Sequence, residues 1–133
     1  NYSTALGSRS SASGSYSTAM GAGVNASSFR ETVLGSHNTT YSANSTTSWN
    51  TSDRLFTIGN GTSFIDRSDA LIVYKNGDMD LNGKLSMNEN IKINDHWISN
   101  DGDDEGLYVN SAGNVGIGHV RQHAVQAVVQ IMA

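Results

Sequence analysis

Small, apolar and polar residues recur on a seven-residue beat through the first third of the chain. Ser3, Ala5 and Gly7 spell S-x-A-x-G; Ser10, Ala12, Gly14 and Ser17, Ala19, Gly21 repeat it. The beat weakens at Val24, Ala26, Ser28 and recovers as Glu31, Val33, Gly35. A second beat, twice as long, lies over the first: Leu6, Met20 and Leu34 fall fourteen apart, and Ser13 and Ser27 fill the half-steps. A fixed period of this kind predicts stacked units rather than a globule. A coiled coil also repeats every seven residues, but a Gly- and Ser-filled segment has poor helix propensity. Short strands joined by glycine turns fit better, with two strands and two turns in each fourteen-residue coil. Alternate strand residues point to opposite faces. Ala5, Ala19 and Val33 are therefore expected on one face, and Leu6, Met20 and Leu34 on the other. Small residues suit the narrow inside of a coil, and the bulky row opposite would be an exposed contact surface.

Beyond the repeat the pattern changes. Tyr41 to Ser48 reads as a polar connector, Leu55 to Gly61 as a strand closing in a glycine turn, and Ala70 to Tyr74 as a continuous apolar strand. Lys75-Asn76-Gly77-Asp78 follows as a hairpin-type turn. From Met79 to Ile93 the odd positions carry Met79, Leu81, Leu85, Met87, Ile91 and Ile93, and the even positions are polar; Gly83 and Glu89 interrupt the apolar set. Unbroken, this two-faced strand would be about 50 Å long; Asn82-Gly83 offers a hairpin bend instead. Its apolar side needs partners, and one such strand from each of three chains, wound about a shared axis, would supply them. Val73, Gly77, Met79 and Leu81 also match Val109, Gly113, Val115 and Ile117 at a constant offset of 36. The tail, 119–133, has no glycine and places Val125, Val128 and Met132 at helical spacing, which predicts a short helix. The expected organisation is a repeat segment over 1–48, a strand-built shaft over 49–118 and this tail.

The S-x-A-x-G beat with Ala-Leu-Gly, Ala-Met-Gly and Val-Leu-Gly resembles the head repeats of trimeric autotransporter adhesins, the YadA-like parallel β-roll, over about residues 1–40. Val24, Ser28 and Glu31 depart from that pattern in the last coil. The runs Asp53 to Gly61, Ser68 to Leu71, Trp97 to Gly102 and Gly113 to Gly118 resemble phage tail-fibre and bacterial surface-fibre shafts, over about 53–118. Such shafts often precede an endosialidase-type intramolecular chaperone, of which no counterpart is recognisable in the chain. Together the resemblances imply an all-β homotrimer: a β-roll or solenoid segment followed by interwoven strands.

Composition points the same way. Leu, Ile, Val and Phe together supply about a fifth of the chain, at the lower edge for a self-sufficient core, so copies of the chain are expected to complete one another's interior. The net charge of −4 and eight scattered Lys and Arg argue against nucleic acid. No run approaches the roughly 20 apolar residues of a membrane span. No signal peptide opens the sequence, which starts inside the repeat and so reads as a fragment or processed product. With no cysteine, disulfides and thiolate metal sites are excluded.

Candidate chemistry is sparse. Asp101, Asp103 and Glu105, in an acidic stretch kinked by Gly102 and closed by Gly106, are the ligand set calcium would use, although a solvated acidic turn is the simpler reading. His119 and His123 have a metal-compatible spacing but no evident third ligand. Asp53, Asp66 and Asp69 could supply an acid–base pair for glycan cleavage, yet acidic residues in turns are usually solubilising. Trp49, in the connector, is the candidate aromatic for stacking on a ligand sugar, whereas Trp97 and Tyr108 are expected to pack at module junctions. N-x-(Ser/Thr) occurs at Asn1, Asn25, Asn38, Asn44, Asn50 and Asn60.

The sequence thus predicts a non-enzymatic, extracellular structural and adhesive fibre segment without a cofactor. It would be trimeric through Leu6, Met20, Leu34, Met79, Leu81, Leu85, Met87, Ile91 and Ile93, and would attach to a host or cell-surface glycan or protein. The alternatives are a subunit of an open extracellular filament and a glycan-cleaving tail spike.

Overall fold

A computed structural model of the chain describes residues 2–89, 91, 97–98, 107–109 and 115–117. The described part is all-β. The strands of the first unit are β1 (Thr4–Leu6), β2 (Ser11–Ala12), β3 (Thr18–Ala22), β4 (Asn25–Ala26), β5 (Thr32–Ser36), β6 (Arg54–Asn60), β7 (Asp69–Tyr74) and β8 (Met79–Leu81). Odd and even strands of the repeat form separate parallel ladders. In one, Leu6 pairs with Met20 and Met20 with Leu34; in the other, Ser11 pairs with Asn25 and Ala12 with Ala26. The register is the fourteen-residue period itself, so each coil lays one strand in each ladder.

Two local devices make the coil. The first is a left-handed residue in every turn: Arg9, Tyr16, Gly23, Arg30 and His37 all have φ between 40° and 63° and lie seven residues apart. The second is the glycine column Gly7, Gly21, Gly35. A Cβ at Gly21 would lie 1.8 Å from the carbonyl oxygen of Gly35, and one at Gly7 would lie 1.9 Å from that of Gly21. No side chain fits between coils stacked that closely.

The repeat's irregular positions are built into the last coil. Val24 is fully buried in the core. The Ser28 hydroxyl donates to the Arg54 carbonyl (2.8 Å). Where Ser17 donates to the carbonyl of Gly14 (2.7 Å), Glu31 instead accepts at Oε2 from the amides of Ser27 and Ser28 (2.7 and 2.8 Å). The chain then leaves the ladder over 37–53 and returns as β6, parallel to β5, with Leu34 opposite Ile58 and Gly35 opposite Gly59. β7 and β8 continue the sheet antiparallel, giving the order β1-β3-β5-β6-β7-β8.

The detour covers the end of the short ladder. Asn38 is buried, and its amide substitutes for a neighbouring strand: Oδ1 accepts from the Asn25 amide (2.8 Å) and Nδ2 donates to the Asn25 carbonyl (3.1 Å). Asp53, also buried, accepts from the Asn44 and Ser45 amides (2.7 and 2.9 Å) and from the Asn44 side chain (3.0 Å). Arg54 pairs with Asp69 at 3.4 Å and lies 4.4 Å from the centroid of the Tyr41 ring.

The chain divides into two compact units, Asn1–Leu85 and Ser86–Ala133. In the second, β9 (Trp97–Ile98), β10 (Leu107–Val109) and β11 (Val115–Ile117) form an antiparallel sheet with β10 in the middle. The offset of 36 is carried into pairing. Val73 opposite Met79 and Leu71 opposite Leu81 in the first unit become Val109 opposite Val115 and Leu107 opposite Ile117 in the second. The long strand expected from Met79 to Ile93 is corrected: the ladder stops at Leu81, and 82–89 carry no strand. β7 begins at Asp69, so beyond the hydrogen bond from the Asn82 amide to the Ala70 carbonyl (3.1 Å) little of that strand is left for 83–89 to pair with. The predicted tail helix, His119 and His123 lie outside the described residues.

Candidate functional site

The six-stranded sheet has two unlike faces. The inner row runs Ala5, Ala19, Val33, Thr57, Ile72, Asp80; Ala19, Val33, Thr57 and Ile72 are buried. The outer row runs Leu6, Met20, Leu34, Ile58, Leu71, Leu81. Beside it lies a second outer row, Thr4, Thr18, Thr32, Phe56, Val73, Met79. Five strand spacings make the Leu6–Leu81 row about 24 Å long. None of its members is buried; Leu6 is 60% exposed and Met20 41%.

The apolar distribution is therefore inverted. The core cluster is Ala19, Val24, Ala26 and Val33, with Ala12 packed against it. Among residues 2–89, Ile72 is the one buried side chain of the Leu, Ile, Met, Phe, Tyr or Trp types. Hydrophobic burial scales with area, and this interior offers little area.

Five residues expected at an interface, Leu6, Met20, Leu34, Met79 and Leu81, come together on this one face. Leu85, Met87 and Ile91 are exposed outside any strand, and Ile93 lies outside the described residues. Ile58, Leu71, Phe56 and Val73 belong to the same face and escape the repeat-based reading. The signal for Ile58 is present: Thr57-Ile58-Gly59 repeats Val33-Leu34-Gly35 in chemistry, displaced by 24 residues instead of fourteen.

The other candidates fall elsewhere. Trp49 is half exposed, and the Lys75 ammonium lies 5.7 Å from its ring. Asp53 and Asp69 are buried in the structural networks described above, and Asp66 takes a 2.5 Å hydrogen bond from Thr62 Oγ1. Asp101, Asp103 and Glu105 lie outside the described residues. Among the N-x-(Ser/Thr) positions, Asn38 is buried with its amide nitrogen engaged, and Asn44 donates to Asp53.

A buried ionic group beneath the connector was not legible beforehand. Glu31 is fully buried; Tyr41 donates to its Oε2 at 3.0 Å, and its Oε1 has no hydrogen-bond partner. Burial raises its carboxyl above the ordinary range, against the opposing pull of the Ser28 and Ser27 amides, Tyr41 and Arg54. Lys75, nearly buried, donates to Ser28 Oγ at 2.7 Å. Desolvation lowers its pKa, and Asp53 and Glu31 oppose that shift. Compared with family models, curated proteins and solved structures, the chain matches none.

Proposed function

We propose that this chain is a structural and adhesive segment of an extracellular fibre built from copies of itself, three to a fibre as the adhesin-like repeat implies. One observation carries the reading: large apolar side chains lie on the outside of the first unit and small ones on the inside. A face of this kind is wasted on a solitary chain and is covered when copies meet across it. Repetition then supplies reach, and several copies of each weak surface contact raise avidity. No catalytic step is assigned, and the fibre needs no cofactor. The test is the native mass of the full chain at micromolar concentration. A trimer is expected; a compact monomer would end the proposal. Electron micrographs distinguish rods of fixed length from the open filament that is its nearest rival.

A further inference from the structure

One edge of the first unit gathers cations around an aromatic ring. The guanidinium carbon of Arg9 is 5.3 Å from the Phe64 ring centroid, that of Arg67 is 5.2 Å away, and the His37 ring meets Phe64 edge-on at 4.7 Å. These groups come from three segments of the chain and converge over Gly23. A Cβ there would lie 2.6 Å from His37 and 3.1 Å from Phe64, so the missing side chain is the notch that admits the ring. Arg67 Nη1 donates to the carbonyls of Gly23 and Asn38 (3.0 and 2.9 Å), which fixes that guanidinium in place.

Among the described residues, neither arginine has a counter-acid. The one ion pair among the described residues is Arg54–Asp69. Asp66, next to Arg67 in sequence, is held by Thr62. Beside the cations stand Phe64, 43% exposed, and Ile65, 99% exposed. Ile65 sits in a turn closed by the Thr62 amide on the Asp66 carbonyl (3.0 Å) and the Asp66 amide on the Ser63 carbonyl (3.2 Å).

We infer that this edge is a recognition site for an acidic sugar, one carrying a carboxylate on its ring. Two guanidiniums anchored on an aromatic ring present N–H donors suited to a carboxylate. The apolar surface of Ile65 and Phe64 suits the C–H face of the same sugar. On a chain of net charge −4, an unpaired cationic spot also selects for anions locally. Two arginines gathered around a single ring do not follow the line of closely spaced phosphates of a nucleic acid. A single fully exposed isoleucine offers too little apolar area to anchor a chain in lipid. The site gives the attachment half of the fibre reading its ligand class and is complete within one chain.

The experiment titrates the full chain with an oligogalacturonate and with the same oligosaccharide reduced to its neutral form, with native mass recorded on the same samples. The acidic sugar should bind about tenfold or more tightly than the neutral one, and added salt should weaken it. Arg9→Asn removes the charge while keeping a residue that tolerates the left-handed backbone. It should weaken binding about tenfold with an unchanged circular dichroism spectrum. Equal binding of the two sugars, or unaltered affinity in Arg9→Asn, would overturn the site. So would preference for single-stranded DNA or phosphatidylserine vesicles over the uronate. Because mass and binding are read separately, loss of the site and loss of self-assembly remain distinct results.

Discussion

At Gly21 the coils come so close that the residue type is dictated by the coil after it. Gly21→Ala puts a methyl group 1.8 Å from the Gly35 carbonyl oxygen on a backbone at φ 145°. The expected cost is at least about 2–3 kcal/mol in urea unfolding. Gly83 is the control: a Cβ there meets nothing within 4 Å, and Gly83→Ala should stay within about 0.5 kcal/mol. The buried carboxylates make a second contrast. Glu31's folded pKa is raised by burial, so the folded chain holds the proton longer than the unfolded one. Its favourable share of stability is full below the unfolded value of 4.5 and lost as pH rises through the folded value. Burial also works to raise Asp53, but hydrogen bonds from Asn44 and Ser45 outweigh it and lower the pKa. Its share is present above 3.8 and lost as pH falls through the folded value. Unfolding measured against pH should therefore lose its downward slope above pH 4.5 in Glu31→Gln, while Asp53→Asn should flatten the acid limb. Neither role was legible in the sequence, where Glu31 stands only as an imperfect serine of the beat.

At the scale of elements, the ladders depend on how their ends are finished. Asn38 closes the β2–β4 ladder by imitating a peptide group toward Asn25. Asn38→Ala leaves that part-buried amide and carbonyl without their partner, at about 1–3 kcal/mol. Hydrogen exchange should show the Asn25 amide losing protection ahead of those in β3 and β5. The sequence marked Asn38 only as a glycosylation motif, because a capping role depends on where the chain turns back. The strands of the repeat were legible, since period and register are one number. The β7–β8 and β10–β11 hairpins were also legible, from two apolar runs repeated at the same offset. β6 was legible as a strand but not as the next rung of the ladder. A 24-residue step conceals its kinship with β5, and only hydrogen bonding with β5 places it there.

For the whole molecule, the decisive property is the inversion of large and small apolar residues between the outside and the core of the first unit. Met20 lies in the middle of the outer row and is not part of the core. Met20→Glu should leave single-chain folding within about 0.5 kcal/mol while abolishing self-association, seen as a fall in native mass to that of one chain. Retention of the full mass would remove the sheet face from the proposal. The sequence alone determined that the described part of the chain is all-β, that its first strands stack every fourteen residues, and which row of side chains each coil turns outward. These follow from period and alternation, which are properties of neighbours along the chain. Tertiary structure decided the rest: the extension of the apolar row to Ile58 and Leu71, the burial of Glu31 and Lys75 beneath the connector, and the meeting of Arg9, His37 and Arg67 on Phe64. Arg9 and His37 keep the period of the repeat, but Ile58, Phe64, Arg67, Leu71 and Lys75 come from beyond a detour of no fixed period, so only the closed path of the backbone brings them to the repeat.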